Sequence, residues 1–182
     1  SYNTGIGRQA LHANTTGEPN TAVGFEALKD NTTGGSNTAV GDRALANNTT
    51  GQSNTAIGNL ALFTQTSDGS KNIAVGNQSL YSNTTGDSNC AVGESALYTN
   101  TTGGNNIAIG DYVMGLNTTG GNNVAIGRNA LDANTTGANH VAIGYSALTS
   151  NTTANYNVAI GQEAMEKNTT GYENTAVGFR AL

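Results

Sequence analysis

Cysteine, proline and tryptophan are almost missing from this 182-residue chain, which contains one, one and none of them. The lone Cys90 excludes an internal disulfide framework. Charged residues are only 10% of the chain, its net charge is -5, and no basic stripe is present that would bind nucleic acid. Because no apolar run approaches the ~18 residues of a membrane-spanning helix, and because no signal peptide opens the chain, we predict no membrane insertion.

A repeat is what the sequence has instead. The pentapeptide Asn-(Thr/Val/Ile)-Ala-(Val/Ile)-Gly recurs every seventeen residues, with one spacing of eighteen after Asn54. Its copies begin at Asn20, Asn37, Asn54, Asn72, Asn89, Asn106, Asn123, His140, Asn157 and Asn174, with a degenerate copy at Asn3. Such a period is typical of a solenoid, in which each unit stacks on its neighbours. We therefore predict an all-β parallel β-solenoid, a single array of about ten repeats over residues 1–182, without evident caps.

The pentapeptide predicts a short strand followed by a corner. With the leading Asn counted as position 0, position 3 is always Val or Ile, position 2 is Ala in all but the first copy, and position 4 is always Gly. Side chains alternate between faces along a strand, so positions 1 and 3 share one face and the Ala lies on the other. We expect the β-branched face to be buried, the Ala face to point outward, and the Gly to form the corner.

The rest of the repeat predicts a second core row and a turn. Positions 7 and 8 read Ala-Leu in most copies, and the segment around them fits either a single helical turn or a second short strand. Positions 11 to 14 are mostly Asn-Thr-Thr-Gly, which favours a turn. The extra residue of the eighteen-residue spacing falls in this turn, within residues 65–69, as expected of an insertion in a solenoid loop.

A single thin solenoid of this composition would be only marginally stable. Burying about two aliphatic side chains per coil contributes roughly 4 to 7 kcal/mol, whereas ordering a seventeen-residue coil costs at least about 1 kcal/mol per residue. We therefore expect a homo-oligomer, either a trimer or an end-to-end filament. The small-residue Ala face is the expected contact between chains.

The pentapeptide, as in Asn123–Gly127 and Asn157–Gly161, resembles the repeat of trimeric autotransporter adhesin heads. The fuller form from Asn20 through Gly34 is similar to arrays in phage tail-fibre and giant-virus surface proteins. The resemblance implies a left-handed β-roll, three chains side by side, and a rigid extracellular rod on a cell or virion surface. This chain departs from the adhesin heads in its longer repeat and its Asn-Thr-Thr-Gly loop.

The sequence offers little that could carry catalysis. His12 and His140 lie many coils apart, and Cys90 occupies a position where the neighbouring copies carry Ile73 and Ile107, which favours a packed thiol. The recurring loop is rich in Asn and Thr, whereas calcium prefers carboxylate ligands. We predict that the chain is not an enzyme and holds neither a metal nor another cofactor.

Three further features recur along the chain, and two of them, the Asn-Thr-Thr pattern and the aromatic strip, could carry modification or binding. The Asn-Thr-Thr tripeptide is an acceptor pattern for N-glycosylation, although Asn and Thr also build turns. The acceptor residues are Asn14, Asn31, Asn48, Asn83, Asn100, Asn117, Asn134, Asn151 and Asn168. We interpret the leading Asn as an internal ladder of amides bonded from coil to coil. At position 9, Phe63, Tyr81 and Tyr98 fall on consecutive coils and predict an aromatic strip, which could stabilise the stack or hold sugars.

Two functions follow as expectations. The first is a structural repeat that forms a rigid extracellular fibre or adhesin shaft, which spaces or presents a binding tip. The alternative is a ligand-binding solenoid that binds ice through a column of threonines, or a host-surface glycan or receptor through the aromatic strip.

Overall fold

The computed structural model describes residues 2–66 and 68–182, and they form one parallel β-solenoid. Each coil contributes one short strand, and the eleven strands form one sheet in chain order, each in register with the strand one repeat later. The strands are β1 Thr4–Ile6, β2 Asn20–Val23, β3 Asn37–Val40, β4 Thr55–Ile57, β5 Ile73–Val75, β6 Cys90–Val92, β7 Ile107–Ile109, β8 Val124–Ile126, β9 Val141–Ile143, β10 Val158–Ile160 and β11 Thr175–Val177. The predicted parallel solenoid of seventeen-residue repeats is confirmed.

The strand faces are the reverse of the prediction. Ala39, Ala108 and Ala142 at position 2 have no exposed surface, whereas the Val or Ile at position 3 points outward, with exposed fractions of 39% at Ile109 and 60% at Ile6. The coil interior explains the inversion, because larger side chains from the opposite wall already fill it. Only a methyl group fits between them and the strand.

The corner after each strand requires glycine, as predicted. Gly24 has a φ of 137°, in a region that L-residues with a side chain rarely adopt. A Cβ built on Gly24 would lie 2.3 Å from the carbonyl oxygen of Gly41 in the next coil. The corner glycines therefore let successive coils approach to about 4.8 Å, the distance between hydrogen-bonded strands.

The segment after the corner is neither of the two predicted alternatives. The described residues contain no helix, and positions 6 and 8 have left-handed φ values, such as 53° at Glu26 and 49° at Leu28. Glu26 N–H donates to the Arg8 carbonyl of the preceding coil, and Leu28 N–H donates to the Ala44 carbonyl of the following coil. A left-handed residue costs roughly 1–2 kcal/mol. Hydrogen bonds to both neighbouring coils offset that cost.

The core has an apolar half and a polar half. The apolar half is a column of Leu or Met at position 8, flanked by the Ala columns of positions 2 and 7, all almost fully buried. The position 8 column consists of Leu28, Leu45, Leu62, Leu80, Leu97, Met114, Leu131, Leu148 and Met165. The polar half consists of the buried asparagines of positions 0 and 11. This second core row of Leu and Met is as predicted.

The coil that begins at Asn54 has eighteen residues, and a longer side chain lets it continue the hydrogen-bonded column of position 11. Gln65 replaces the position 11 Asn, and its Nε2 donates to Gly69 O at 2.6 Å and to Asn48 Oδ1 at 3.3 Å. Its Oε1 accepts from Asn72 Nδ2 at 3.1 Å. The side chain is one methylene longer and the loop one residue longer, so the polar column continues. Ser67, within the predicted insertion, lies outside the described residues.

Candidate functional site

Two columns of buried asparagine run the length of the rod and tie the coils together. At position 11, Asn48 Nδ2 donates to Asn31 Oδ1 of the preceding coil at 2.8 Å and to Gly51 O at 3.1 Å. The sequence predicts such an amide-to-amide ladder at the leading Asn. There, Asn20 Oδ1 accepts the backbone N–H of Asn37 at 2.9 Å, and an amide-to-amide bond joins Asn106 Nδ2 to Asn89 Oδ1 at 3.1 Å.

The two columns meet at the glycine of the Asn-Thr-Thr-Gly loop. Gly34 O accepts Asn20 Nδ2 at 2.8 Å and Asn31 Nδ2 at 2.9 Å. A Cβ on Gly34 would lie 2.4 Å from the Gly51 oxygen and 2.5 Å from Asn31 Oδ1. A coil of this kind closes through two amide bonds to one carbonyl, and the lack of space for a Cβ favours glycine there. The coil of His140 is an exception, because its loop ends in Ala154, whose carbonyl oxygen is bonded by His140 Nε2 and Asn151 Nδ2.

The acceptor asparagines of the glycosylation pattern are these same ladder residues. Seven of them have no exposed surface, and Asn14 and Asn168 are half-buried. The seven are Asn31, Asn48, Asn83, Asn100, Asn117, Asn134 and Asn151. A sugar would have to be attached to the Nδ2 that donates both ladder bonds. Glycosylation stays a prediction, and in the folded coil it would break those bonds.

The outward strand side chains form one uncharged strip, which we call the aliphatic face. It comprises positions 1 and 3 of all eleven strands. Seventeen of these twenty-two side chains are Val, Ile or Cys and the other five are Thr. Ile57, Ile73 and Ile107 are 40%, 44% and 40% exposed. This face, rather than the Ala face of the prediction, is therefore the apolar surface that the sheet offers to another molecule.

Cys90 lies on the aliphatic face rather than in the core. It occupies position 1 of β6, where it is half-buried and pairs in register with Ile73 and Ile107. The packed thiol of the prediction is thus a partly exposed surface group. Since it is the single cysteine of the chain, it offers a site for a probe near the middle of this face.

The two threonine columns of the loop have different roles. Thr32 at position 12 is half-buried, and its hydroxyl donates to the Thr49 carbonyl of the next coil at 3.0 Å. Thr33 at position 13 is exposed, as is Thr102. The exposed loop threonines of the inner seventeen-residue coils thus form a single column at position 13, which the sequence interrupts with Ser67 in the eighteen-residue coil. Ice binding by this column stays a prediction that thermal hysteresis measurements test.

The aromatic residues at position 9 stack as a strip on the face formed by positions 5 to 10. The ring centroids of Phe63 and Tyr81 are 5.5 Å apart, and those of Tyr81 and Tyr98 are 5.2 Å apart with planes 11° from parallel. On the same face, Arg8 and Arg43 flank the Phe25 ring at 5.6 and 5.5 Å. Side chains on this face therefore interact with the side chains one coil away. Sugar binding by the strip stays a prediction.

The two histidines occupy unrelated environments. His12 is exposed, whereas His140 replaces a leading Asn and is 1% exposed. Its Nδ1 accepts the Asn157 N–H at 3.2 Å, which leaves the proton on Nε2, 2.6 Å from the Ala154 carbonyl oxygen. Burial lowers the pKa of His140 because it disfavours the imidazolium. His140 is therefore a neutral member of the leading column.

The part of the chain that the structure describes brings no three His, Cys, Asp or Glu side chains together as a metal site. Within the same residues there is no helix that could span a membrane.

Comparison of the chain with known protein families, curated proteins and solved structures finds no significant match. The resemblance to adhesin and tail-fibre repeats therefore rests on the repeat motif and on the solenoid architecture that it shares with other repeat arrays.

Proposed function

We propose that this chain is a structural rod that associates laterally with further copies of itself through the aliphatic face. The observation that carries the proposal is the composition of that face, which has no charged residue on any of its eleven strands. Contiguous apolar strips of this kind typically mark interaction surfaces. In a pair the faces would pack against each other, and in a trimer three of them would meet around a common axis.

The dimensions of the face set the strength of the association. Eleven strands at a spacing of about 4.8 Å make a strip about 48 Å long. With a width of about 10 Å, a face-to-face pair buries on the order of 1,000 Å² in total, which is near the lower limit for a specific interface. Each further coil adds about 100 Å² to a pair, so association strengthens with coil number.

The assembled rod would act as a shaft or fibre that holds a binding tip at a distance, outside a cell or on a virion surface. The resemblance of the repeat to adhesin and tail-fibre arrays supports this setting. We propose a mechanical rather than an enzymatic role, since the buried asparagines bond within the stack, as Asn48 does to Asn31 and Gly51. The exception among the described residues is Asn151 Oδ1, which is buried without a hydrogen-bond partner.

Sedimentation analysis over a range of protein concentrations tests the association. The test variant is the pair Ile107→Lys and Ile109→Lys, which puts two charges on the aliphatic face. The matched control is the pair Asn59→Lys and Asn77→Lys, because these exposed residues occupy position 5 of adjacent coils on another face. We expect the unmodified protein and the control to associate, and the test variant to stay monomeric.

Electron microscopy of the same samples shows the mode of assembly. We expect the rods of the unmodified protein to be thicker than those of the test variant. An unmodified protein that stays monomeric at high micromolar concentration would contradict the proposal. So would a test variant that associates as strongly as the control.

A further inference from the structure

The aromatic strip ends at a gap. Phe63, Tyr81 and Tyr98 stack at position 9 of three consecutive coils, and the next coil has Gly115 at that position. The ring face of Tyr98 that points along the rod toward Gly115 therefore meets no ring there. No position 9 side chain of the Gly115 coil therefore covers that side of the Tyr98 ring, and both residues line a cleft.

A carboxylate lies on the far side of this gap. Asp132 occupies position 9 of the following coil, and its Oδ1 accepts the Gly115 N–H at 3.2 Å. A Cβ on Gly115 would lie 2.7 Å from that oxygen, so the carboxylate reaches into the space that a side chain would need. Partial burial raises the pKa of Asp132, while the Gly115 N–H opposes that shift. The carboxylate is thus only partly solvated, which strengthens its pull on a nearby positive charge.

The gap opens into a cleft of about 450 Å³ that is lined by residues of four consecutive coils. Its lining combines two phenol rings, two carboxylates and no cationic side chain among the described residues. The lining residues are Gln78, Glu94, Ser95, Tyr98, Tyr112, Gly115, Leu116 and Asp132. Tyr112 and Leu116 are 43% and 53% exposed, so apolar surface and negative charge are both presented to solvent.

We propose that this cleft binds a small organic cation, either a methylated ammonium or a guanidinium group. The cation would stack on the free face of Tyr98, beside Tyr112, and face the carboxylates of Glu94 and Asp132. Aromatic faces attract cations through the ring quadrupole, most strongly where the charge is partly desolvated. The two carboxylates add a negative field that no basic residue of the lining cancels.

Other ligand classes use less of the cleft. A neutral sugar would gain from stacking on Tyr98 but nothing from the negative field of the two carboxylates. A bare metal ion would find no cluster of three acidic, His or Cys ligands among the described residues. A group that carries both a charge and an apolar or planar surface uses the rings and the carboxylates together.

The test is an NMR titration of the ¹⁵N-labelled full chain, followed at the Gly115 amide, which donates to Asp132. The probes are choline, arginine and 3,3-dimethyl-1-butanol, the last being an uncharged analogue of choline with nearly the same shape. We expect millimolar binding of at least one cation and none of the uncharged analogue. The relative affinities of choline and arginine separate the methylated ammonium from the guanidinium as the preferred head group.

Variants locate the site. We expect Tyr98→Ala to weaken binding about tenfold, the equivalent of about 1.4 kcal/mol, and Gly115→Tyr to abolish binding by filling the gap. Phe63→Ala is the matched control, because Phe63 belongs to the same strip and does not line the cleft. Asp132→Asn, which keeps the shape of the side chain, shows whether the charge matters and should also weaken binding several-fold.

Three outcomes would overturn the proposal. They are the absence of binding by either cation at high millimolar concentration, equal binding of the uncharged analogue, and retention of binding in the Gly115→Tyr variant. Glucose binding without cation binding would identify the cleft as a sugar site instead. None of these outcomes affects the proposed lateral association, because the cleft residues lie outside the aliphatic face.

Discussion

Removal of one rung of the position 11 ladder should destabilise the rod strongly. Asn117 has no exposed surface, and its Nδ2 donates to Asn100 Oδ1 at 2.8 Å and to Gly120 O at 3.0 Å. Its Oδ1 accepts from Asn134 Nδ2 at 2.8 Å. Asn117→Ala therefore deletes three buried hydrogen bonds at once.

The partners of Asn117 are not affected equally. Gly120 O keeps the bond from Asn106 Nδ2, and Asn134 Nδ2 keeps its bond to Gly137 O. Asn100 Oδ1 loses the donor that Asn117 supplied and stays buried. One orphaned acceptor costs about 1–3 kcal/mol and each of the two lost bonds at Gly120 O and Asn134 Nδ2 about 0.5–1.5 kcal/mol, so we expect a total loss of roughly 2–6 kcal/mol.

Urea denaturation, with amide hydrogen exchange to localise the effect, measures this loss. Thr119→Ala is the control, because Thr119 is exposed in the same loop, and we expect a change within about 0.5 kcal/mol. Asn117→Leu fills the space without restoring the hydrogen bonds and should destabilise nearly as much as Asn117→Ala. If Asn117→Leu were neutral, the cost would come from a cavity. If Asn117→Ala matched Thr119→Ala, the ladder would not stabilise the stack.

Two further predictions concern the leading column and the corner. Because burial lowers the pKa of His140, the unfolded chain takes up the proton at higher pH than the folded chain does. Stability should therefore be complete above about pH 6.5 and should fall as the pH drops below it. In His140→Asn, which restores the usual residue, this part of the pH dependence should vanish, and its persistence would contradict the assignment. At the corner, Gly144→Ala should destabilise by about 1–3 kcal/mol more than Gly178→Ala, because both glycines have positive φ but only Gly144 would place its Cβ 2.4 Å from the next coil. If Gly144→Ala and Gly178→Ala had equal unfolding midpoints, the close contact between coils would not contribute to the requirement for glycine.

The repeat period, the strand, the glycine corner and the Asn-Thr-Thr-Gly turn could all be predicted from the sequence. Each depends on a local preference of the residues themselves. The β-branched residues on either side of Ala108 favour a strand, and Gly110 tolerates the positive φ of the corner. The solenoid then follows from the fixed spacing alone. The same spacing places the inserted residue within residues 65–69, and this stays a prediction because Ser67 lies outside the described residues.

The direction of the strand faces could not be predicted from alternation, because alternation says which side chains share a face and not which face is inside. A signal was present in the repeats themselves. Position 2 stays Ala in ten of the eleven copies, whereas position 1 varies among Thr, Ile, Val and Cys. A position of fixed small size fits a confined interior, and a position of variable size fits a surface.

The left-handed residues of positions 6 and 8 had no comparable signal. Leu28 and Glu26 are ordinary residues with no preference for positive φ, and only the hydrogen bonds to both neighbouring coils select that conformation. Those bonds link residues seventeen apart or nearly so, beyond the reach of local propensity. The cleft beside Gly115 was visible as a break in the position 9 column, but its carboxylate neighbour required the structure.

The most direct test of the account compares the unfolding free energies of Ala108→Val and Ile109→Thr, two variants in one strand. Ala108 is fully buried and Ile109 is 39% exposed. We predict that Ala108→Val destabilises the monomer by about 1–3 kcal/mol through overpacking. Under conditions where the chain is monomeric, Ile109→Thr should change its stability by no more than about 0.5 kcal/mol. The opposite order, a tolerated Ala108→Val and a damaging Ile109→Thr, would place the aliphatic side chains inside the coil and contradict both the packing and the proposed interface.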